Sequence, residues 1–417
     1  MQAGSLTIAR FSRLLVLALV PCTALAYFPP LASPFFAAKT TVLVLGVTVL
    51  LSLAILDRDF VLPAFPGPSR FFVYAVSGFL LVALVSAALS PWRYMTAPST
   101  AWLFAGPLLW FLSIRVLRQE RSLFPEVAAI SGALVSCIAI LQFALGRDFL
   151  FLLFDRSTQL IAGRMQFFST LGNPNFVATY AAACLPFALV MANPGSSKRY
   201  LGLLASIPML AAMVFSGSRA GLLAMMVGAL TVNALTAWNR RTRAIIVALL
   251  VLFGLGLVFS SNYRSVSESF HGRVLIWRAT LGSHWLSPTG TGPGTFAYGY
   301  PVRLGEYITV HPEEQRYAGR EDHAQNDLVE FWSELGLFGA MAGMVLLGAA
   351  VKQFQAALSE DRQSTGAAAG CVAAILTGSL FDFPLHRPEI WVLFWLALAV
   401  PFSIPDSPPA TARFPAL

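Results

Sequence analysis

Charge is scarce in this 417-residue chain: Asp, Glu, Lys and Arg together make up 12% of it, against about 25% in an ordinary soluble protein. So little charge cannot cover a water-exposed surface of this size. That excludes a string of soluble domains, although the length alone would suit two or three. Cysteine is sparse too. Cys22, Cys137, Cys184 and Cys371 all lie in apolar runs, with no CxxC and no Cys/His pairing. They give no support to a zinc site or a disulfide framework, and read as small packing residues. Histidine is restricted to five positions: His271, His284, His311, His323 and His386.

What the chain has in abundance is apolar sequence, 57% hydrophobic overall. Runs of about 20 residues recur from end to end, each long enough to cross a bilayer as a helix. Candidate spans fall at roughly 14–30, 35–56, 72–90, 99–114, 123–145, 174–192, 201–216, 219–237, 244–261, 328–351, 365–381 and 389–403. The expected fold is all-α, a polytopic membrane protein with about twelve transmembrane helices. The first span also has signal-peptide features, Arg10 and Arg13 followed by an apolar run and Ala24-Leu25-Ala26, but is read as retained.

Basic residues in short loops set the orientation. With the N-terminus inside, Arg115, Arg118, Arg121, Lys198, Arg199, Arg240, Arg241 and Arg243 all fall on the cytoplasmic side. Both termini are then cytoplasmic, and two long loops, about 146–172 and about 262–327, lie outside. The net charge of +8 is read as topology signal and as a match for an anionic substrate, not as a nucleic-acid surface. No internal repeat is evident, which weakens a two-halved transporter.

On this topology every histidine lies on the outer side, and histidine is the usual proton handler near neutral pH. Four stretches on the same side carry further chemistry. Gly172-Asn173-Pro174-Asn175 precedes a span; its amides either cap the helix or present donors to an oxyanion. Ser216-Gly217-Ser218-Arg219-Ala220-Gly221 joins two spans with almost no loop. An arginine at bilayer depth costs about 2.5–3.5 kcal/mol even on lenient insertion scales, so Arg219 either has a task or snorkels to the headgroups.

His271-Gly272-Arg273-Val274-Leu275-Ile276-Trp277-Arg278 suits a short helix on the membrane surface. Guanidinium forks match phosphate oxygens, so Arg219 and Arg273 together suit a diphosphate, with Arg278 as a further contact. Finally, with a helix begun near Asp322, His323, Asp327, Glu330 and Glu334 share one face at i, i+4, i+7 and i+11. The alternative is a polar helix start whose acids favour its positive end. Gly290-Thr291-Gly292-Pro293-Gly294 lacks the Lys-Ser/Thr ending of a P-loop and is read as a flexible turn. The turn Phe381-Asp382-Phe383-Pro384-Leu385-His386-Arg387-Pro388 is expected to line the same cavity.

GNPN at 172–175, SGSRAG at 216–221, GRVLIW at 272–277 and HAQNDLVEFWSELGLFG at 323–339, in that order, resemble the O-antigen ligase family, which includes O-antigen polymerases and protein O-oligosaccharyltransferases. The likeness covers about 172–339. It divides the chain into amino-terminal helices and first outer loop (1–171), a ligase-like core with its large periplasmic loop (172–351), and carboxy-terminal helices with a short tail (352–417).

The resemblance implies a metal-independent, cofactor-free glycosyltransferase of the bacterial inner membrane, active at its periplasmic face. The donor is a glycan on undecaprenyl diphosphate; the acceptor is a hydroxyl on lipid A-core, on a glycan or on a protein, with lipid A-core favoured. Arg219 and Arg273 look like the family's paired arginines, and His323 like its catalytic histidine. Asn173, Asn175, Arg278, Gln325, Asn326 and Glu330 are expected to bind substrate. Family sequences commonly place histidine directly before Asn326; here it is Gln325, which positions a hydroxyl but accepts no proton. Either His323 is the base or arginine stabilisation of the leaving group dominates, and His323 is favoured. A reading of a different class is a transporter of lipid-linked sugar.

Overall fold

A computed structural model describes residues 2–57, 65, 67–120, 122–145, 167–236, 263–282 and 286–403. Thirteen α-helices are described: α1 (Gln2–Leu25), α2 (Ala37–Leu56), α3 (Pro68–Leu89), α4 (Thr96–Glu120), α5 (Leu123–Leu145), α6 (Pro174–Met191), α7 (Arg199–Ser216), α8 (Arg219–Leu235), α9 (Tyr263–Leu281), α10 (Phe296–Val310), α11 (Asp327–Ala357), α12 (Arg362–Gly378) and α13 (Pro388–Ala399). Three short 3₁₀ turns accompany them, and the described residues contain no strand. The all-α reading is correct. Eight helices, α1 to α7 and α11, are long and apolar enough to cross a membrane, and α8 and α13 are shorter apolar helices. The expected span at 244–261 lies outside the described residues, as do Arg121, Arg240, Arg241, Arg243, His284 and most of the 146–172 loop.

α6 is the central post. It is 83% buried, whereas α2 and α3 are 28% buried and turn Val44, Leu45, Ile55, Leu81 and Leu89 outward, as a lipid-facing helix does. Small residues let neighbours close on α6: a side chain at Gly221 of α8 would meet Ala178 of α6 at 2.4 Å. Lys39 of α2, fully buried, donates to the carbonyls of Thr23, Ala24 and Ala26 at the end of α1, satisfying acceptors that the helix leaves unpaired.

The large loop is mostly helix. α9 and α10 pack Ile276, Ala279, Phe296 and Tyr300 together with Ala324 into a second, smaller core at the end of the bundle where α6, α8, α11 and α13 begin. Residues 271–278 are thus part of a 19-residue helix, longer than the short surface helix expected.

α11 breaks at Gly336, where φ is +69° and ψ −166°, a region open in practice only to glycine. The break frees four backbone groups, and the loop before α10 takes them all. Thr291 and Gly292 donate to the carbonyls of Ser333 and Glu334, while Leu337 and Phe338 donate to those of Ser287 and Pro288. The 290–294 segment is therefore a pinned turn. The expectation of a flexible one is wrong, because the opened helix offers it partners that water cannot supply inside a membrane.

A Cβ at Gly336 would come within 2.4 Å of the Gly290 nitrogen, in addition to the strained φ. Gly336→Ala is expected to cost about 1–3 kcal/mol, read as a clear fall in Tm of the detergent-purified protein. Gly343→Ala, on the same helix with nothing within 4 Å of the new methyl, should leave Tm unchanged.

Candidate active site

α11 starts at Asp327, not near Asp322. The Asn326 side chain caps it, accepting from the Leu328 and Val329 amides, and its own amide donates to the Leu380 carbonyl. Gln325 before it holds a left-handed φ of +53°, which stops the helix from extending backward. His323 therefore comes from the preceding loop, and a reverse turn, not a shared helix face, brings it to α11. The acids do begin the helix, at its positive end.

The turn closes on one carboxylate. Glu330, 2% exposed, faces His323 Nδ1 through Oε1 at 2.8 Å and accepts the Ala324 amide on Oε2 at 2.7 Å. Trp277 of α9 donates its indole N–H to the Ala324 carbonyl, so the outer helix grips the same two-residue segment. The His323 ring lies flat on Phe383, 4.1 Å between centroids.

A second histidine joins from the turn between α12 and α13. His386 Nδ1 is 2.9 Å from Asp327 Oδ1 and Nε2 is 3.3 Å from the Glu330 oxygen that faces His323. Asp327 is fully buried and also accepts the Leu385 amide, and Phe331 stacks on the His386 ring. Burial alone would lower the His386 pKa from its free value of 6.5; the carboxylates of Glu330 and Asp327 outweigh it and hold it up at about 10.

A cavity of about 400 Å³ opens beside this cluster, lined among others by Thr40, Ser99, Trp102, His323, His386 and Arg387. The turn at 381–388 does line it, through Phe383, His386 and Arg387. Arg387 is the guanidinium in the wall: it sits over the Phe176 ring at 4.5 Å, donates to the Leu171 carbonyl and pairs with buried Glu389. Glu334, also in the wall, accepts the Gly294 and Phe296 amides at the start of α10.

The other expected residues gather beside the cavity or elsewhere. Asp382, next to cavity-lining Phe383, accepts from the Asn175 side chain and feels the charge of Arg273; burial pushes its carboxyl up despite both. Arg219 opens α8 and is exposed. Ser218 caps that helix by accepting the Gly221 amide, and Gly221 packs one turn from Asn175. Asn173 caps α6 by accepting the Asn175 amide. Arg278 pairs with Glu314 on an exposed face, and the Gln325 amide reaches Glu321; neither lines the cavity. His271 stacks on Tyr317 and His311 lies beside Glu313.

His386, Asp327 and Arg387 are the residues that a reading of the sequence underweights. The signal available was the aromatic, proline-framed turn FDFPLHRP, which has too little length for a second helix start and too much polarity for a span. His323, Glu330 and His386 also bring three ligand-type atoms within 4.8 Å of one another. Both His386 nitrogens face carboxylates.

The family model described as O-Antigen ligase matches residues 204–343, about a third of the chain. The match takes in SGSRAG, GRVLIW and the whole of HAQNDLVEFWSELGLFG, with GNPN lying before it. No curated relative matches the chain. Residues 204–343 are thus similar to the O-antigen ligase domain, set in a bundle whose helices are long and apolar enough to cross a membrane.

Proposed function

We propose that the protein transfers a glycan from undecaprenyl diphosphate to a hydroxyl acceptor, with lipid A-core favoured, at the periplasmic face of the inner membrane. The observation that carries this reading is the His323–Glu330 pair at the cavity wall. A carboxylate accepts only, so the proton on that contact belongs to His323 Nδ1, and in the neutral ring the lone pair is then on Nε2. The acceptor hydroxyl gives its proton to Nε2 as its oxygen bonds to the anomeric carbon. The bond from that carbon to the phosphate oxygen breaks, and the electron pair leaves with undecaprenyl diphosphate.

Two further features support the assignment. The leaving diphosphate needs cations: Arg273 and Asn175 act on Asp382, next to cavity-lining Phe383, and Arg219 is exposed at the start of α8, the helix packed on α6. Arg387 adds a fixed positive charge in the wall itself. With Gln325 turned to Glu321, proton transfer falls to His323. The activated donor supplies the free energy, so the reaction needs no nucleotide.

His323→Ala should lower transfer by about 10²–10⁴-fold, and Arg219→Ala and Arg273→Ala by about 10²–10³-fold. The measurement is product mass in proteoliposomes, with flipping of the lipid-linked glycan followed in parallel. Loss of flipping with transfer chemistry intact would make the protein a transporter.

The orientation has its own check. In a cysteine-free background, a cysteine at Thr309 should react with an impermeant maleimide from the periplasmic side and one at Asn193 should not. The reverse pattern contradicts the assigned topology.

A further inference from the structure

His386 has no part in the mechanism above, yet it is built into the same cluster with more care than a packing residue needs. Its side chain is 19% exposed, and its two nitrogens meet two different carboxylates, Asp327 at 2.9 Å and Glu330 at 3.3 Å. Only the imidazolium donates from both nitrogens. The Leu385 amide on Asp327 and the Phe331 ring against the imidazole fix its pose. The same oxygen of Glu330 faces His323 Nδ1 at 2.8 Å, and the two rings are 5.0 Å apart.

We propose that His386 is a positioning residue for glycosyl transfer, a standing imidazolium that meets the charge of Glu330 so that Glu330 orients His323 without leaving it protonated. The role rests on His323 being the base. A buried carboxylate beside a lone histidine favours the ion pair and so keeps the proton on the ring. A histidine locked as imidazolium accepts nothing from an acceptor hydroxyl. Placing a second, permanent cation on the carboxylate removes that demand and adds like-charge repulsion against protonating His323.

The groups facing His386 agree with this. From α11 come Asp327, Glu330 and Glu334; from the loop before it, His323; on its own turn, Arg387 is already paired with Glu389. Because the pKa of His386 is raised to about 10, its pairing is fully present below 6.5 and lost only as pH rises through about 10. It is therefore constant over the pH range in which a neutral His323 matters.

The test is the rate of glycan transfer in proteoliposomes from pH 5 to 9, with kcat and donor KM resolved, for wild type, His386→Gln and His386→Lys. Wild type should lose rate as pH falls, since protonation removes the base. His386→Gln should move that acid limb up by about one pH unit, lowering kcat with donor KM unchanged, and His386→Lys should bring the limb back. If His386→Gln does not accumulate as monodisperse protein, Asp327→Asn removes the anchor of the same cation and should shift the limb the same way. A wild-type limb that neither variant moves overturns the role of His386 alone, whatever the loss of rate. A wild-type profile flat from pH 5 to 8 overturns the base assignment of His323 and this role with it. Stoichiometric Zn²⁺ binding that His386→Gln abolishes, with rate restored by Zn²⁺, overturns the imidazolium.

Discussion

The carboxylate of Glu330 is where three separate pieces of chain meet. It takes the His323 ring and the Ala324 amide from the loop before α11, and the His386 ring from the turn before α13. Each contact replaces water that a buried carboxylate would otherwise lose at a cost of several kcal/mol. Once Glu330 is inside, the three pieces have little freedom to be anywhere else. Removing any one donor leaves an unmet charge in a nearly dry site, so the cluster forms as a unit.

The position of Glu330 depends in turn on the break in α11. Gly336 opens the helix just below the acids, and the 287–292 loop closes the exposed amides and carbonyls. Glu334, one turn beyond Glu330, then holds the start of α10. The Gly336 break and the GTGPG turn, distant in sequence, are two halves of one backbone joint. This joint ties the start of α10 to the bundle and leaves a cavity between α10, α11, α2 and α4.

Much of this is legible in the sequence, and the limits have physical causes. Long apolar runs make helices in lipid whatever their neighbours, so the spans from α1 to α8 read directly from composition. His323, Glu330 and the three motifs within 204–343 read from spacing and resemblance. The start of α11 did not, because the cap at Asn326 and the left-handed Gln325 are set by local turn geometry, which a 3.6-residue period does not see. The fixed 290–294 turn does not read from the sequence, because its partners are the freed carbonyls of a helix forty residues away. His386 does not stand out for a similar reason: only the folded chain shows that a turn more than fifty residues on meets the same carboxylate.

Transfer of a glycan from a lipid diphosphate to a hydroxyl at this site is measured by one reconstitution. Purified protein in proteoliposomes receives undecaprenyl diphosphate-linked glycan and lipid A-core, without nucleotide, and with and without chelator. Mass spectrometry then follows both products. The predicted result is glycan on lipid A-core and one undecaprenyl diphosphate released per transfer, unaffected by the chelator. Intact donor after incubation, with glycan, protein and lipid A-core acceptors each supplied, would contradict it.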